Sequence, residues 1–183
     1  MRKKTLWENQ SRNFNIDLAS GKKGETKIFT HLQSYKNITE VRDISNSKRG
    51  IQDDIDFELV YTDGHTSTVE IKTDMLAHRT GNIAYEELSH KNPGCFARTK
   101  ADHILYLINE TNEVYVLNPD KFRAFISVMK TDAEQAKQYK VRSTYMGEGA
   151  FGYLVPIKSL MNTDVIECMF TIAQELPMLS MSA

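Results

Sequence analysis

Apolar residues recur along the first half of the chain at two different spacings, which predict a helix followed by strands. Helical spacing predicts a first helix over about residues 20–34. Alternation of apolar and polar residues predicts strands over 55–61 and 67–72. The Asp63-Gly64 pair between these strands is typical of a tight hairpin turn. The first half of the chain is therefore expected to pack a helix against an antiparallel pair of strands.

The second half continues with short strands and helices that complete a mixed α/β fold. Thr131 is expected to cap a short helix. The other predicted elements are a strand over 82–86, a turn-rich segment over 90–102, strands over 103–108 and 113–118, a helix over 119–130 and a strand over 153–157. We expect a central mixed β-sheet flanked by helices, in a single domain over 1–183 with a core of about 20–130 and a C-terminal extension of about 131–183.

Composition excludes several classes of protein. A content of 40% hydrophobic and 26% charged residues is that of a globular domain and argues against a disordered chain. The longest apolar stretch, 104–108, is far shorter than the roughly 18 residues of a membrane helix, and the basic N-terminus lacks the apolar segment of a signal peptide. Two cysteines, Cys95 and Cys168, exclude a disulfide framework; we expect two buried thiols in a reducing, cytoplasmic environment.

The net charge of −1 conceals an asymmetry along the chain. Residues 1–50 hold eleven basic and five acidic side chains, a net charge of +6, so the remainder carries −7. A basic segment attracts a phosphate backbone, and clustered carboxylates hold metal ions. A solvated surface explains such a charge run equally well. The asymmetry is therefore compatible with nucleic-acid binding without establishing it.

Four polar residues on the first predicted hairpin form the candidate chemical site. Glu70 and Lys72 are two residues apart and therefore share one face of their strand. Asp54 and Asp56 share a face of the preceding strand by the same alternation. A hairpin places the two strands side by side, which brings a carboxylate of one beside the Glu and Lys of the other.

Such a group has a specific chemical use. Carboxylate oxygens bind Mg²⁺ or Mn²⁺ while leaving coordination positions for water and for a phosphate oxygen. A lysine beside them can orient or deprotonate a water molecule, or stabilise negative charge on the phosphate. The bare Glu-x-Lys motif is common by chance, and its alternative is a surface strand with a cross-strand ion pair.

Residues 50–74 contain an Asp before a strand, an Asp-Gly turn and the strand sequence Val-Glu-Ile-Lys. This combination resembles the core of the PD-(D/E)xK nuclease superfamily. This superfamily has the restriction-endonuclease-like fold and includes Holliday-junction resolvases. The resemblance implies that Glu70 and Lys72 are catalytic and that Asp56 binds metal, with Asp54 as its competitor. It also implies that Glu25, on the first helix, contributes to the metal site. No Pro precedes the Asp, which leaves the choice between Asp54 and Asp56 open.

The resemblance extends from about residue 25 to 117. TGNIAYEE and the later NPGCFARTKADHILYL are similar to segments of phage and prophage members of the superfamily, which would place the protein in the cytoplasm of a host cell. The implied activity is a Mg²⁺-dependent or Mn²⁺-dependent deoxyribonuclease, an endonuclease rather than an exonuclease, which acts on DNA and leaves a 5′-phosphate. Many relatives are homodimers, so a homodimer is the expected assembly.

Four further residues are candidates for binding substrate. Arg98, Thr99 and Lys100 lie in the turn-rich segment, and His78 follows the Glu-x-Lys strand. The cations of this set could contact phosphates, although exposed loop cations are common. Two alternative functions remain at this stage: a nucleic-acid-binding module that keeps the nuclease fold without catalysis, and a protein in which the motif is only an ion-pair cluster.

Overall fold

The computed structural model describes residues 14–147 and 149–173, with side chains from residue 19 onward. The described strands are β1 (Ile38–Asp43), β2 (Phe57–Tyr61), β3 (Thr66–Asp74), β4 (Asn82–Ser89), β5 (Asn92–Pro93), β6 (His103–Ile108), β7 (Glu113–Leu117), β8 (Arg142–Gly147), β9 (Ala150–Pro156) and β10 (Ile166–Thr171). The described helices are α1 (Phe14–Leu32), α2 (Lys48–Asp53), α3 (Ala77–Thr80), α4 (Cys95–Arg98), α5 (Pro119–Thr131), α6 (Ala133–Gln138) and α7 (Ile157–Leu160). None of these helices is long and apolar enough to cross a membrane.

The central sheet has six strands in the order β1-β2-β3-β6-β7-β10. β3 and β6 pair in parallel, whereas the other neighbours in this sheet are antiparallel. The predicted mixed sheet flanked by helices is therefore confirmed. The parallel β3–β6 pair requires a crossover, and α3, β4, β5 and α4 form this connection.

A second sheet of four strands has the order β5-β4-β9-β8 and is antiparallel throughout. Its strand β4 comes from the crossover between β3 and β6, and β8 and β9 come from the chain after α6. β10 returns to the edge of the central sheet beside β7. Residues beyond 131 therefore supply strands to both sheets.

The two faces of the central sheet have separate apolar cores. On one face, Ile28 and Leu32 of α1 pack against residues that alternate along the strands: Val41, Phe57, Leu59, Val69, Ile71, Leu105, Leu107 and Val114. The opposite face packs against the second sheet and α5 through Ile83, Tyr85, Phe96, Ile104, Tyr106, Ile108, Leu117, Phe122, Ile126 and Val155. Adjacent residues of β6 enter different cores, so this strand is covered on both sides, as the parallel part of a sheet usually is. On β3, Val69 and Ile71 enter the core under α1, and Glu70 is buried on the other face.

Several local predictions can be compared directly with the structure. The predicted Asp63-Gly64 hairpin is confirmed, and the Gly64 amide donates to the Tyr61 carbonyl at 2.9 Å. Thr131 is not the cap of the short helix, because it still belongs to α5. The cap is Asp132, whose carboxylate accepts from the amides of the next turn. Cys95 is buried as expected, but Cys168 is exposed on β10, so the prediction of two buried thiols is wrong for Cys168.

Helix α1 approaches β3 closely at one glycine. A Cβ atom built at Gly24 would lie 1.9 Å from Oγ1 of Thr73, closer than any real Cβ contact. At Gly21, one turn earlier on α1, a Cβ atom would meet nothing within 4 Å. Gly24 therefore sets the distance between α1 and β3, and with it the position of the following residue, Glu25.

We expect Gly24→Ala to destabilise the protein by about 1–3 kcal/mol, because the added methyl group must push Thr73 or α1 aside. This cost should exceed the advantage of about 1 kcal/mol that alanine has over glycine inside a helix. Urea denaturation measures both effects, and Gly21→Ala is the matched control, which should be neutral or stabilising. Thr73→Ala should restore most of the stability in the double variant. Equal behaviour of the two glycine variants would contradict the close approach.

Candidate metal centre

The centre of the candidate site is on β3, just beyond its pairing with β2. β2 begins at Phe57, which is opposite Val69, so β3 continues from Glu70 onward without this neighbour. Glu70 is only 5% exposed, and its Oε1 lies 3.2 Å from Nζ of Lys72. Lys72 keeps 37% of its side chain exposed. The predicted shared face therefore brings the two residues into contact, with the carboxylate of Glu70 buried and the Lys72 side chain partly exposed.

Asp56 lies at the fork where β2 and β3 separate. Its amide donates to the Val69 carbonyl at 3.0 Å, and its Oδ2 accepts from the Ile71 amide at 2.8 Å. The carboxylate thus takes the place of a strand partner for β3. Because this bond uses one oxygen, the other carboxylate oxygen is left for contacts on the Glu70 side of the fork.

Asp54 reaches the site by a different route from the one predicted. It is not on a strand face beside Asp56; it ends α2 with φ 56, in the left-handed region. Strand alternation therefore does not apply to it. Its Oδ1 accepts from Arg98 at 2.5 Å, and its carbonyl accepts from the Thr99 hydroxyl at 2.7 Å. Aspartate adopts this conformation more readily than most residues, and the contacts with Arg98 and Thr99 hold Asp54 in place.

The structure adds Cys95, a residue that the sequence analysis treated only as a buried thiol. One ligand atom each of Asp54, Glu70 and Cys95 lies within 4.8 Å of the others, and Cys95 Sγ donates to Glu70 Oε1 at 3.5 Å. A Cβ atom at Gly94 would lie 2.6 Å from the Glu86 carbonyl oxygen, so this glycine permits α4 to approach β4 closely. The only sequence signal for Cys95 is its place in the same turn-rich segment as Arg98.

Burial dominates the electrostatics of the cluster. Burial raises the pKa of Glu70 to about 8; Lys72 opposes this rise, and the charges of Asp56 and Asp54 add to it. Burial also raises the pKa of Asp56 and that of the Cys95 thiol. For Lys72, burial lowers the pKa, but Cys95 and Glu70 raise it more, so the net direction is upward. Lys72 is therefore a cation at neutral pH, among acids that resist ionisation.

Glu25 lies at the border of this cluster. Its Oε2 accepts from Lys22 Nζ at 2.7 Å, and its side chain is 23% exposed. Its charge raises the pKa of Asp56, which indicates that the two carboxylates are near each other. Glu25 is thus an outer acidic group on α1, close to Asp56, whereas Asp54 and Glu70 belong to the compact cluster.

The donor set of the cluster consists of two carboxylates and one thiol. Within the described residues, Asp54 Oδ2 is buried and has no hydrogen-bond partner, which is unusual for a carboxylate oxygen. A metal ion beside Asp54 and Glu70 would satisfy it. Asp54 and Glu70 supply the carboxylate oxygens that Mg²⁺ or Mn²⁺ prefers, whereas Cys95 supplies a sulfur atom, which softer metals prefer.

The predicted substrate-binding residues occupy different environments. Arg98 is half exposed and paired with Asp54, and Lys100 is exposed with its Nζ 2.7 Å from Asp53 Oδ1. Thr99 is 1% exposed, and its hydroxyl supports the Asp54 backbone instead of facing solvent. His78 is exposed on α3, away from these contacts. Arg98 and Lys100 are thus the cations of this set that lie beside the carboxylate cluster.

Comparison with known proteins adds no relative to this description. No protein-family model, no curated protein and no solved structure matches the chain.

Proposed function

We propose that the protein is a metal-dependent DNA nuclease of the PD-(D/E)xK type. The observation that carries the proposal is the compact cluster of Asp54, Glu70 and Cys95 beside Lys72. Asp56 is fixed next to this cluster, where β2 and β3 separate, by the Ile71 amide. The order of elements supports the proposed restriction-endonuclease-like core: a helix, an antiparallel β1-β2-β3 meander and a parallel β6. A homodimer and a cytoplasmic location remain expectations from the resemblance.

Asp54, Asp56 and Glu70 would hold Mg²⁺ or Mn²⁺, with Glu25 as an outer carboxylate near Asp56. A divalent cation bound there neutralises negative charge on the phosphate and lowers the pKa of a water molecule. The protein's own part is to fix the ligands. The Ile71 amide orients Asp56, and the contacts of Arg98 and Thr99 orient Asp54. Orientation of ligands by such surrounding contacts strengthens metal binding and activity.

Lys72 acts in this proposal as a fixed positive charge. Its raised pKa disfavours the neutral amine that a general base requires. Its ammonium, 3.2 Å from Glu70 Oε1, can instead orient the attacking water or stabilise charge that develops on the phosphate during hydrolysis. Of the three roles that the sequence allows for this lysine, the electrostatic environment favours the two in which it stays protonated.

One observation favours a second candidate, a nucleic-acid-binding module in which the carboxylate cluster stabilises the fold and catalyses nothing. Arg98 already pairs with Asp54, and Lys72 and Cys95 both contact Oε1 of Glu70. A carboxylate cluster that is compensated by cations of its own chain could serve the fold alone. Two buried side-chain oxygens have no hydrogen-bond partner among the described residues, Thr73 Oγ1 and Asp54 Oδ2. Asp54 Oδ2 belongs to the carboxylate cluster, and it is the reason to prefer the nuclease.

The test is cleavage of supercoiled, linear, branched and single-stranded DNA in Mg²⁺, Mn²⁺ or EDTA. We expect cleavage only with a divalent metal, together with a metal-dependent rise in melting temperature, because a bound ion stabilises the native state. Asp54→Asn removes a charge from the cluster while keeping the size of the side chain, and should lose both effects. Asp164→Asn makes the same change at an exposed carboxylate that pairs with Lys121, and should keep both.

The outcomes separate the candidates. Metal-dependent cleavage that Asp54→Asn abolishes supports the nuclease. DNA binding without cleavage in any metal would favour the binding module. A folded protein with neither cleavage nor a metal-induced shift would leave the carboxylates as a structural ion-pair cluster.

A further inference from the structure

A groove rich in positive charge lies beyond the C-terminal ends of β3 and β6. It is open, has a volume of about 960 Å³, and is lined by α3, the end of α6, the start of β8 and α7. Its cations are Arg79, Lys137, Lys140, Arg142 and Lys158. They come from three separate parts of the chain, and the fold alone brings them together.

The cations of the groove differ from those at the carboxylate cluster in having no acidic partners. Within residues 19–147 and 149–173, no ion pair involves any of the five. Lys72, Arg98 and Lys100 all pair with carboxylates. The one acidic residue of the groove, Glu113, accepts a hydrogen bond from Thr111. The groove thus presents uncompensated positive charge to solvent.

The groove is connected to the carboxylate cluster through β3. Asp74, the last residue of β3, accepts from the amides of Leu76 and Ala77 at 2.6 and 2.8 Å and so fixes the start of α3. Asp74 is two residues beyond Lys72, a distance of about 7 Å along a strand.

We propose that this groove binds the phosphate backbone of DNA and directs the strand towards the carboxylate cluster. The choice of DNA as the polyanion rests on the proposed function. The positive charge and its lack of partners are observations that stand independently of it. Phosphate contacts of this kind position a nucleic acid without reading its sequence. Binding should therefore be insensitive to sequence and strongly dependent on salt.

The backbone supplies a matched pair of substitutions for the test. Lys140, in the groove, and Lys91, between β4 and β5, both have positive φ, 57 and 70. Glycine adopts this conformation without strain, so Lys140→Gly and Lys91→Gly each remove one charge at little cost to the fold. Lys91 lies beyond the end of β4 that is far from the groove, since β4 begins beside the groove at Asn82.

The experiment compares two triple variants with equal loss of charge. The groove variant is Lys137→Gln, Lys140→Gly and Lys158→Gln. The control is Lys36→Gln, Lys48→Gln and Lys91→Gly, which changes exposed lysines that also have no ion pair among the described residues. Fluorescence anisotropy measures binding to a DNA duplex of about 20 base pairs. The measurement is made in EDTA, which prevents metal-dependent cleavage.

We expect the groove variant to bind about tenfold or more weakly, and the slope of log affinity against log salt to fall by about 3, one unit for each lost phosphate contact. The control should bind nearly as the wild type does. Equal weakening of both variants, or no binding by the wild type, would overturn the proposal. If the wild type binds DNA through the groove but does not cleave it in any metal, the nuclease is refuted and the groove proposal is supported. If the groove variant cleaves DNA as well as the wild type does, the nuclease is supported and the groove proposal is refuted.

Discussion

Replacing Lys72 with methionine should reduce metal-dependent cleavage by about 10²–10³-fold or more, the usual effect of removing a group that stabilises charge in the transition state. Methionine retains the apolar stem but removes the ammonium that lies 3.2 Å from Glu70. The fold should survive, because the raised pKa of Glu70 allows this carboxylate to remain neutral when its cation is lost. The measurement is the single-turnover cleavage rate in Mg²⁺, with thermal unfolding as the check on folding.

Two control variants separate the role of the Lys72 charge from a general loss of positive charge. Lys72→Arg keeps the charge on a group that does not lose its proton at neutral pH, so partial activity in this variant supports an electrostatic role. Lys36→Gln removes an exposed cation between α1 and β1, and should have little effect. A Lys72→Met protein that cleaves at the wild-type rate would exclude the residue from the mechanism.

The parts of the structure that follow local patterns could be predicted from the sequence. Alternation along β3 correctly places Glu70 and Lys72 on one face, and Asp63-Gly64 forms the expected hairpin. Each of these features depends on residues that are close in sequence. The same reasoning gave the mixed sheet, because its strands have strong alternating or continuous apolar patterns.

Features that depend on a change of backbone direction or on distant contacts could not be predicted. Asp54 leaves the strand pattern because of its left-handed conformation, which the sequence Asp53-Asp54-Ile55 does not signal. Cys95 enters the cluster because α4 packs against β4. This packing brings Cys95 to Glu70, from which it is far apart in sequence. In both cases tertiary contacts decide which side chains meet, and periodicity does not contain that information.

Charge shows the same limit on prediction. The sequence places its excess of basic residues in the first fifty positions, yet Arg42 and Arg49 of that segment pair with acids, mainly Glu58. The uncompensated groove instead combines residues of α3, α6 and α7 that have no common sequence signal. Net charge along a chain therefore says little about where a phosphate backbone would bind, because ion pairs formed on folding redistribute it.

Glu70→Gln should make the metal-free protein more stable at pH 9 than the wild type. The pKa of Glu70 is raised to about 8 by burial, whereas a glutamate in an unfolded chain titrates near 4.3. The folded state therefore binds more protons than the unfolded state between these values, and the free energy of unfolding falls as pH rises. This contribution is complete below about pH 4 and is lost as pH rises through 8. Since each pKa unit corresponds to about 1.4 kcal/mol, the loss amounts to several kcal/mol.

The pH series tests this account with urea denaturation in EDTA. Glu70→Gln and the wild type should have similar stability near pH 4, and their stabilities should separate progressively up to pH 9. Glu110→Gln, which changes an exposed glutamate between β6 and β7, controls for loss of a charge alone and should follow the wild type. Parallel pH profiles for Glu70→Gln and the wild type would show that Glu70 ionises in the folded protein as it does in water.

Addition of a divalent metal at pH 8 should reverse this order of stability. The ionised carboxylate of Glu70, costly when buried alone, becomes favourable beside a cation, and the wild type gains stability in proportion to metal affinity and concentration. Glu70→Gln lacks the negative charge and should gain little. The same side chain thus destabilises the metal-free fold and stabilises the metal-bound one, an arrangement expected of a ligand and not of a structural ion pair. Equal metal-induced shifts in both proteins would remove Glu70 from the metal site.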